Sequence, residues 1–354
     1  MGPAPLEGDA VITFQISNLK SQIFRVLFIS VLIFNVNARP AHGKGDQSVE
    51  RPTVIVVVGA AGTPQYEAPF AEWAGLWEKA CQKGHAKFAA VGLNNIQEPT
   101  VRRPLRENDR AALREMLAHE SPQGDEALWL VLIGHGTFDG KTAKFNLRGP
   151  DVSADELAEW LKPFSRPLAV INTASSSAPF LSVLSAPGRV VITATKSGFE
   201  QNYARFGQYL AGAIAESQAD LDKDDQTSLL EAFLTASARV DQFYAAAGLL
   251  ATEHALLDDN GDGLGTRADW FRGIRPVQKA EGGASPDGYR AGQFHLLCNE
   301  AEDRMPPQLR SQRDLLELEV VKLRDTRKSF SEDEYFAKLE KLLCDIAQIY
   351  EQTD

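Results

Sequence analysis

Apolar residues in this chain fall into short continuous runs separated by stretches with a period of three to four. Residues 53–58, 86–91, 128–133, 168–171 and 189–194 are runs of four to six mostly apolar, often β-branched positions. Such runs mark strands covered on both faces. Between them, Phe70, Trp73, Leu76 and Trp77 repeat at spacings of three and four and predict a helix over 66–83. Residues 108–118 read as a helix behind an Asn or Asp cap. Ser153 and Glu156 form a capping-box pattern that opens a helix running to about Leu161. Residues 180–184 and 202–216 read as two more helices, and 140–147 alternate like a hairpin.

Strand and helix thus alternate five times. The economical architecture is an α/β three-layer sandwich with a mostly parallel sheet. Beyond Ser311 the pattern changes. Leu316, Val320 and Leu323 form one helical stripe, and Leu339, Leu343, Ile346 and Tyr350 form another. Ser331 and Glu334 make a capping box between them, so a C-terminal helical hairpin is expected. The stripes read as packing between helices, because heptads are not sustained.

At the amino end, Lys20 and Arg25 precede an apolar run over 26–34. Val36-Asn37-Ala38 then offers small residues for cleavage. Residues 1–38 therefore read as a signal peptide and the protein as exported, periplasmic or extracellular, with no membrane association after cleavage. An uncleaved anchor is the alternative. The expected organisation continues with a polar linker over 39–52, an α/β domain over 53–275, a second linker over 276–310 and the helical extension over 311–354.

The formal net charge of −11 over 354 residues argues against a nucleic-acid partner, which needs clustered Lys and Arg. Cys81, Cys298 and Cys344 form no CxxC pair, which argues against zinc. Gly59-Ala60-Ala61-Gly62 follows the first strand but lacks the rest of a dinucleotide fingerprint, so no organic cofactor is expected.

Two strand ends carry reactive residue types. The run 128–133 ends at Gly134-His135-Gly136. Imidazole titrates near neutral pH and can relay a proton, while glycine lets backbone approach a substrate and frees an amide for an oxyanion. The run 168–171 leads into Asn172-Thr173-Ala174-Ser175-Ser176-Ser177. A hydroxyl there, near helix-start amides, is a candidate nucleophile if a base stands beside it. The plainer readings are a turn histidine and a helix-capping serine cluster.

In order and spacing these elements resemble the caspase- and legumain-like cysteine peptidases of the caspase–haemoglobinase fold, over residues 53 to about 216. In that family one strand ends in His-Gly and the next in an Ala-Cys-x-Ser-Gly type turn. Here His135-Gly136 matches the first element. Ala174-Ser175-Ser176-Ser177-Ala178 matches the second, with Ser175 where the family has cysteine. The resemblance implies His135 as base, Ser175 as nucleophile and the amides of Gly136 and Ser175 as oxyanion donors. It also implies a peptide or protein substrate or ligand. The segment 191–198 resembles the family's next strand and the loop that shapes its primary specificity pocket. Oxygen in place of sulfur raises the nucleophile's pKa and lowers its polarizability, so a dyad tuned for thiolate would be nearly idle. The expectation is an exported, catalytically impaired homologue. An active Ser175–His135 dyad and a calcium-stabilised non-catalytic interaction module are the alternatives.

The third alternative rests on two acidic loops. Asp220, Asp222, Asp224, Ser228 and Glu231 occupy positions one, three, five, nine and twelve of a twelve-residue calcium-hand spacing. Asp225 stands at position six, where glycine is usual. The second loop runs Asp258, Asn260, Asp262, Thr266 and Asp269, with Gly263 at position six. Hard oxygen ligands at this spacing suit calcium, and an Asx-rich surface turn is the plain alternative.

Overall fold

The computed structural model describes residues 51–93, 108–283 and 285–353. The expected signal peptide at 1–38 and residues 39–50 of the expected linker lie outside the described residues. The described residues belong to one compact unit.

The elements run in chain order as β1 (Thr53–Val58), α1 (Pro64–Lys83), β2 (Lys87–Val91), α2 (Asp109–His119) and β3 (Leu128–Ile133). Three short strands follow, β4 (Gly136–Phe138), β5 (Ala143–Phe145) and β6 (Val152–Ser153), then α3 (Ala154–Leu161) and β7 (Leu168–Asn172). Next come α4 (Ala178–Leu184), β8 (Arg189–Thr193), α5 (Phe206–Ala213), α6 (Leu229–Ala247), β9 (Leu256–Asp258) and β10 (Thr266–Arg267). The chain closes with β11 (Phe271–Arg272), β12 (Arg275–Pro276), α7 (Glu300–Arg304), α8 (Pro307–Asp325) and α9 (Glu332–Glu351).

The main sheet has the order β10-β9-β8-β7-β3-β1-β2. Its first five strands in sequence, β1, β2, β3, β7 and β8, pair in parallel. β9 and β10 add an antiparallel edge that the sequence pattern did not announce. The fold is mixed α/β with a mostly parallel central sheet. Alternate strand residues feed two cores. Val54, Val56, Trp129 and Val131 face α1, α5 and α6, while Ile55, Val57, Leu128 and Leu130 face α2, α3 and α4. Phe70, Trp73 and Trp77 of α1 are fully buried. Each such side chain contributes on the order of 1.5–3 kcal/mol of burial.

Local chemistry sets the helix ends. Asn108 Oδ1 accepts the Ala111 amide at 2.9 Å, and capping boxes form at Ser153/Glu156 and Ser331/Glu334. The helix expected over 202–216 is shorter, Phe206–Ala213. Its start is fixed from a distance. The buried Glu253 carboxylate accepts the Arg205 and Phe206 amides at 2.7–2.9 Å. The expected hairpin at 140–147 is a three-stranded antiparallel sheet, β4-β5-β6, turned by Asp139, whose Oδ1 accepts the Lys141 and Thr142 amides.

Residues 276–310, read as a linker from composition, place Ala291, Phe294 and Leu296 in the core beside α6. The helices α8 and α9 pack on each other as the expected hairpin, with Leu323 and Ile349 buried. A buried ion network seats the hairpin. Arg313, 6% exposed, pairs with Glu302 and with Asp314 at 2.7 Å. Among the described residues no helix is long and apolar enough to cross a membrane.

Candidate functional site

Strand order brings four chain segments to one carboxyl edge. β3 lies between β1 and β7, and β8 flanks β7. The segments after β1, β3, β7 and β8 therefore line up side by side, where open α/β sheets hold their ligands.

His135 follows β3 directly and is half-buried. Its ring meets Tyr66 edge-on at 4.7 Å between centroids, Phe70 at 5.2 Å and Tyr203 at 6.3 Å. Burial lowers its pKa below the ordinary imidazole value, and a hydrogen bond to the Ala61 backbone works in the other direction. The ring is thus held neutral near pH 7, as a base requires, and is oriented by a main-chain carbonyl. Asp139, the acid nearest in sequence, is not the orienting group, because its carboxylate is taken up by the β4–β5 turn.

Ser175 sits in the turn after β7 and is 3% exposed. Its Oγ accepts the Gly136 amide at 3.3 Å and donates to the Gly136 carbonyl at 3.3 Å. Gly136 is required by space: a Cβ there would stand 2.3 Å from the Ser175 carbonyl oxygen. Ser176 is in the left-handed region at φ 53°, and its buried hydroxyl has no partner among the described residues. Ser177 Oγ accepts the Ala194 and Thr195 amides at 3.1 and 3.2 Å and lies 3.2 Å from Thr195 Oγ1, tying the turn to the end of β8. The three sequence-predicted residues, His135, Gly136 and Ser175, are therefore on adjacent strand ends, with the alcohol on the glycine backbone.

Sequence reasoning missed the surroundings. Ala61, Tyr66, Phe70 and Tyr203 enclose His135 from β1's end, α1 and the segment before α5. Glu200 and His254 form a close pair, Oε1 to Nδ1 2.5 Å, at the same edge. The glycine-rich Gly59–Gly62 segment was the available signal for the first group, once β1 is known to neighbour β3. A cleft of about 420 Å³ lies between α1 and α5, and one of about 300 Å³ at the amino ends of β7 and β8. Neither is lined by His135 or Ser175.

The two acidic loops share one hydrogen-bond pattern. At position one, Asp220 accepts the amides of Lys223 and Asp225 at 2.7 and 3.2 Å. Asp258 accepts those of Gly261 and Gly263 at 3.1 and 3.2 Å. At position five, Asp224 accepts the Gln226 amide and Asp262 the Leu264 amide. Positions four and six have positive φ in both loops, Lys223 and Asp225 at 64° and 67°, Gly261 and Gly263 at 81° and 75°. Asp225 thus takes the glycine conformation despite its side chain, which aspartate tolerates better than most residues.

Glu231 closes the first loop. Its Oε1 accepts the Leu221 and Asp222 amides, and its Oε2 accepts Ser228 N–H and Oγ–H at 2.8 Å each, a capping box for α6. In the second loop Asp269 does not play this part. It is exposed and forks with Arg267 at 2.7 and 3.0 Å. Asp287, outside the twelve-residue window, accepts the Asp259 and Asn260 amides on Oδ1 and Thr266 Oγ–H on Oδ2 at 2.5 Å. Burial and the neighbouring Asp259 push Asp287 up to about 8. Oxygen donors of Asp220, Asp222 and Asp224 lie within 4.8 Å of one another. Hard carboxylates so grouped suit a divalent cation such as calcium. The residues placed to hold one are Asp220, Asp222 and Asp224. The Glu231 carboxylate is taken up by the Leu221, Asp222 and Ser228 hydrogen bonds, and among the described residues the carboxylates of the second loop form no such group.

No family model matches the chain, and no curated protein matches it. Among solved structures the chain is similar to the Drosophila initiator caspase Dronc, with 14% identity and a TM-score of 0.41, covering 68% of this chain and 96% of that one. It is similar also to caspase-1 from Spodoptera frugiperda, with 9% identity and a TM-score of 0.38 over 63% and 94% of the two chains. A third is protein GSU0716 from Geobacter sulfurreducens, with 12% identity and a TM-score of 0.34 over 54% and 89%.

Proposed function

We propose that this chain is an exported peptide-binding homologue of caspase- and legumain-like peptidases whose hydrolytic turnover is impaired by Ser175. One observation carries the reading. The Ser175 hydroxyl rests on the Gly136 amide at 3.3 Å, on the strand end next to His135. In the hydrolytic step Ser175 Oγ would attack the scissile carbonyl carbon, and its proton would pass to His135. The amides of Gly136 and Ser175 would hold the oxyanion. His135 would then protonate the departing amine, and water would release the acyl group.

Two features of the site slow that sequence. The Gly136 amide donates to Ser175 itself, so the oxyanion donor is engaged until the hydroxyl turns away. Ser175 is also 3% exposed, so the turn must open to admit a carbonyl. A thiolate needs less help from a base than an alcohol does. Ser175→Cys tests the reading: peptidase activity or labelling by an acyloxymethyl ketone appears if the rest of the site is intact. Inertness of both forms toward a peptide library, together with no peptide binding, sinks the reading. Export is tested by the amino terminus of the secreted protein, which is expected near Arg39.

A second reading is favoured by the matched hydrogen-bond pattern of the two acidic loops: calcium binds there and stabilises an interaction module without catalysis. Linkage then raises the melting temperature with calcium over that with chelator. An unchanged midpoint discards this reading.

A further inference from the structure

The geometry points to Glu200 as the residue that positions the nucleophile turn, with His254 holding Glu200 in place; this inference rests on the dyad reading of Ser175. Glu200 uses both backbone groups and both carboxylate oxygens. Its carbonyl accepts the Ser176 amide at 2.8 Å, and its amide donates to the Ser197 carbonyl at 3.2 Å. Oε2 accepts the Lys196 amide at 2.9 Å, closing the post-β8 loop on itself, and Oε1 meets His254 Nδ1 at 2.5 Å. His254 is two residues before β9, whose Leu256 is in register with Thr193 of β8. The pair therefore joins the loop after β8 to the chain entering β9. Glu200 and His254 side chains are 14% and 27% exposed, so the pair is largely shielded from water.

The Ser176 amide belongs to the peptide that joins Ser175 to Ser176. Fixing that amide fixes the plane of the peptide. The other end of the plane is the Ser175 carbonyl, which lies where a Gly136 Cβ would be, 2.3 Å from that position. Gly136 in turn donates its amide to Ser175 Oγ. A continuous chain of contacts thus runs from His254 through Glu200 and the 175–176 peptide to the nucleophile and its oxyanion donor. Ser176 makes this chain necessary. A non-glycine residue in the left-handed region is strained and persists only where its surroundings over-determine it. The post-β8 segment supplies that constraint twice, through Glu200 at Ser176 and through Thr195 at Ser177 and Ala178.

Glu200 does not touch a reacting atom, so its effect is read on the turn rather than on hydrolysis alone. Two measurements are made on wild type, Glu200→Ala, Glu200→Gln, His254→Ala and His254→Gln, each also carrying Ser175→Cys in a parallel set. One is hydrogen exchange of the Ser176 amide against the strand amides of Ile171 and Val191. The other is kcat and KM of the Ser175→Cys set, with alkylation of the introduced thiol followed by peptide mapping.

Losing the carboxylate or the imidazole is expected to speed Ser176 exchange roughly tenfold, the scale of one hydrogen bond to a charged group, while the strand amides keep their rates. His254→Gln, which can still donate to Oε1, is expected to restore most of the protection. Where the Ser175→Cys forms are active, kcat falls and KM holds. Unchanged Ser176 exchange in both alanine variants overturns the inference, whatever the activity. Changed Ser176 exchange in a protein whose Ser175→Cys form neither hydrolyses nor binds peptide leaves the positioning intact and removes the peptidase reading. If Glu200→Ala does not fold, Glu200→Gln and His254→Ala decide on the same exchange readout.

Discussion

Gly136 and Ser175 are locked together through three atoms: Ser175 Oγ stands 3.3 Å from both the amide nitrogen and the carbonyl oxygen of Gly136. The Ser175 carbonyl also occupies the space a Gly136 side chain would need. A methyl group at 136 would meet that carbonyl at 2.3 Å and the Lys144 carbonyl at 3.3 Å, and backbone cannot yield as a flexible side chain does. Gly136→Ala is expected to destabilise the fold by about 1–3 kcal/mol, the usual scale of overpacking, and to abolish labelling of a Ser175→Cys variant. Chemical denaturation with an unshifted midpoint contradicts this account.

The lowered pKa of His135 gives stability a signed pH dependence. The unfolded chain takes up the proton first as pH falls below 6.5, the ordinary imidazole value, because burial disfavours the charged ring in the fold. Stability is therefore present above 6.5 and is lost progressively as pH falls through the folded value. His135→Gln should flatten that part of the stability–pH curve. Equal slopes for the two proteins over this range count against a buried neutral His135.

Asp287 and Asp269 make opposite predictions for the second acidic loop. If calcium binds there, Asp287→Asn weakens the calcium-dependent rise in melting temperature, because Asp287 closes the loop as Glu231 closes the first. Asp269→Asn leaves that rise unchanged, since Asp269 is engaged with Arg267. Calorimetric titration with calcium ranks the two variants directly, and the reverse ranking contradicts the assignment.

Arg313 of α8 anchors the C-terminal hairpin to Glu302 of α7 and pairs with its helix neighbour Asp314, and all three lie in a largely buried network. Removing only the cation leaves the largely buried Asp314 carboxylate without its ion partner and leaves Glu302 with Arg310 at 3.6 Å. Arg313→Ala is expected to cost about 3–5 kcal/mol and to expose the α7–α8 junction to protease. Limited proteolysis that proceeds at the wild-type rate is the contrary result.

The parallel strands β1, β3, β7 and β8 were legible because each is buried along its whole length, so its residues read as mostly apolar runs, while the edge strand β2 is only partly buried. Helix starts at Ser153 and Ser331 were legible because a capping box is made within a single turn. The start of α5 was not, because its cap is Glu253, which lies beyond α6 in the chain. The same distance problem hid Asp287. A window of twelve residues selects Asp269, whereas the fold delivers a carboxylate from beyond β12. The segment 276–310 read as a linker because its apolar positions are sparse and aperiodic. Ala291, Phe294 and Leu296 nonetheless complete the core against α6.

For the site, the sequence by itself determined the candidate groups: an imidazole between glycines and a hydroxyl in a small-residue turn, each at the end of an apolar run. Only the tertiary structure decided that these ends are neighbours, that an aromatic wall and the Ala61 carbonyl hold His135, and that Glu200 and His254 brace the turn. Residue types and local spacing are written along the chain. Strand order is not, because hydrogen bonds between parallel strands join residues tens of positions apart, and which ends meet is settled by packing across the sheet.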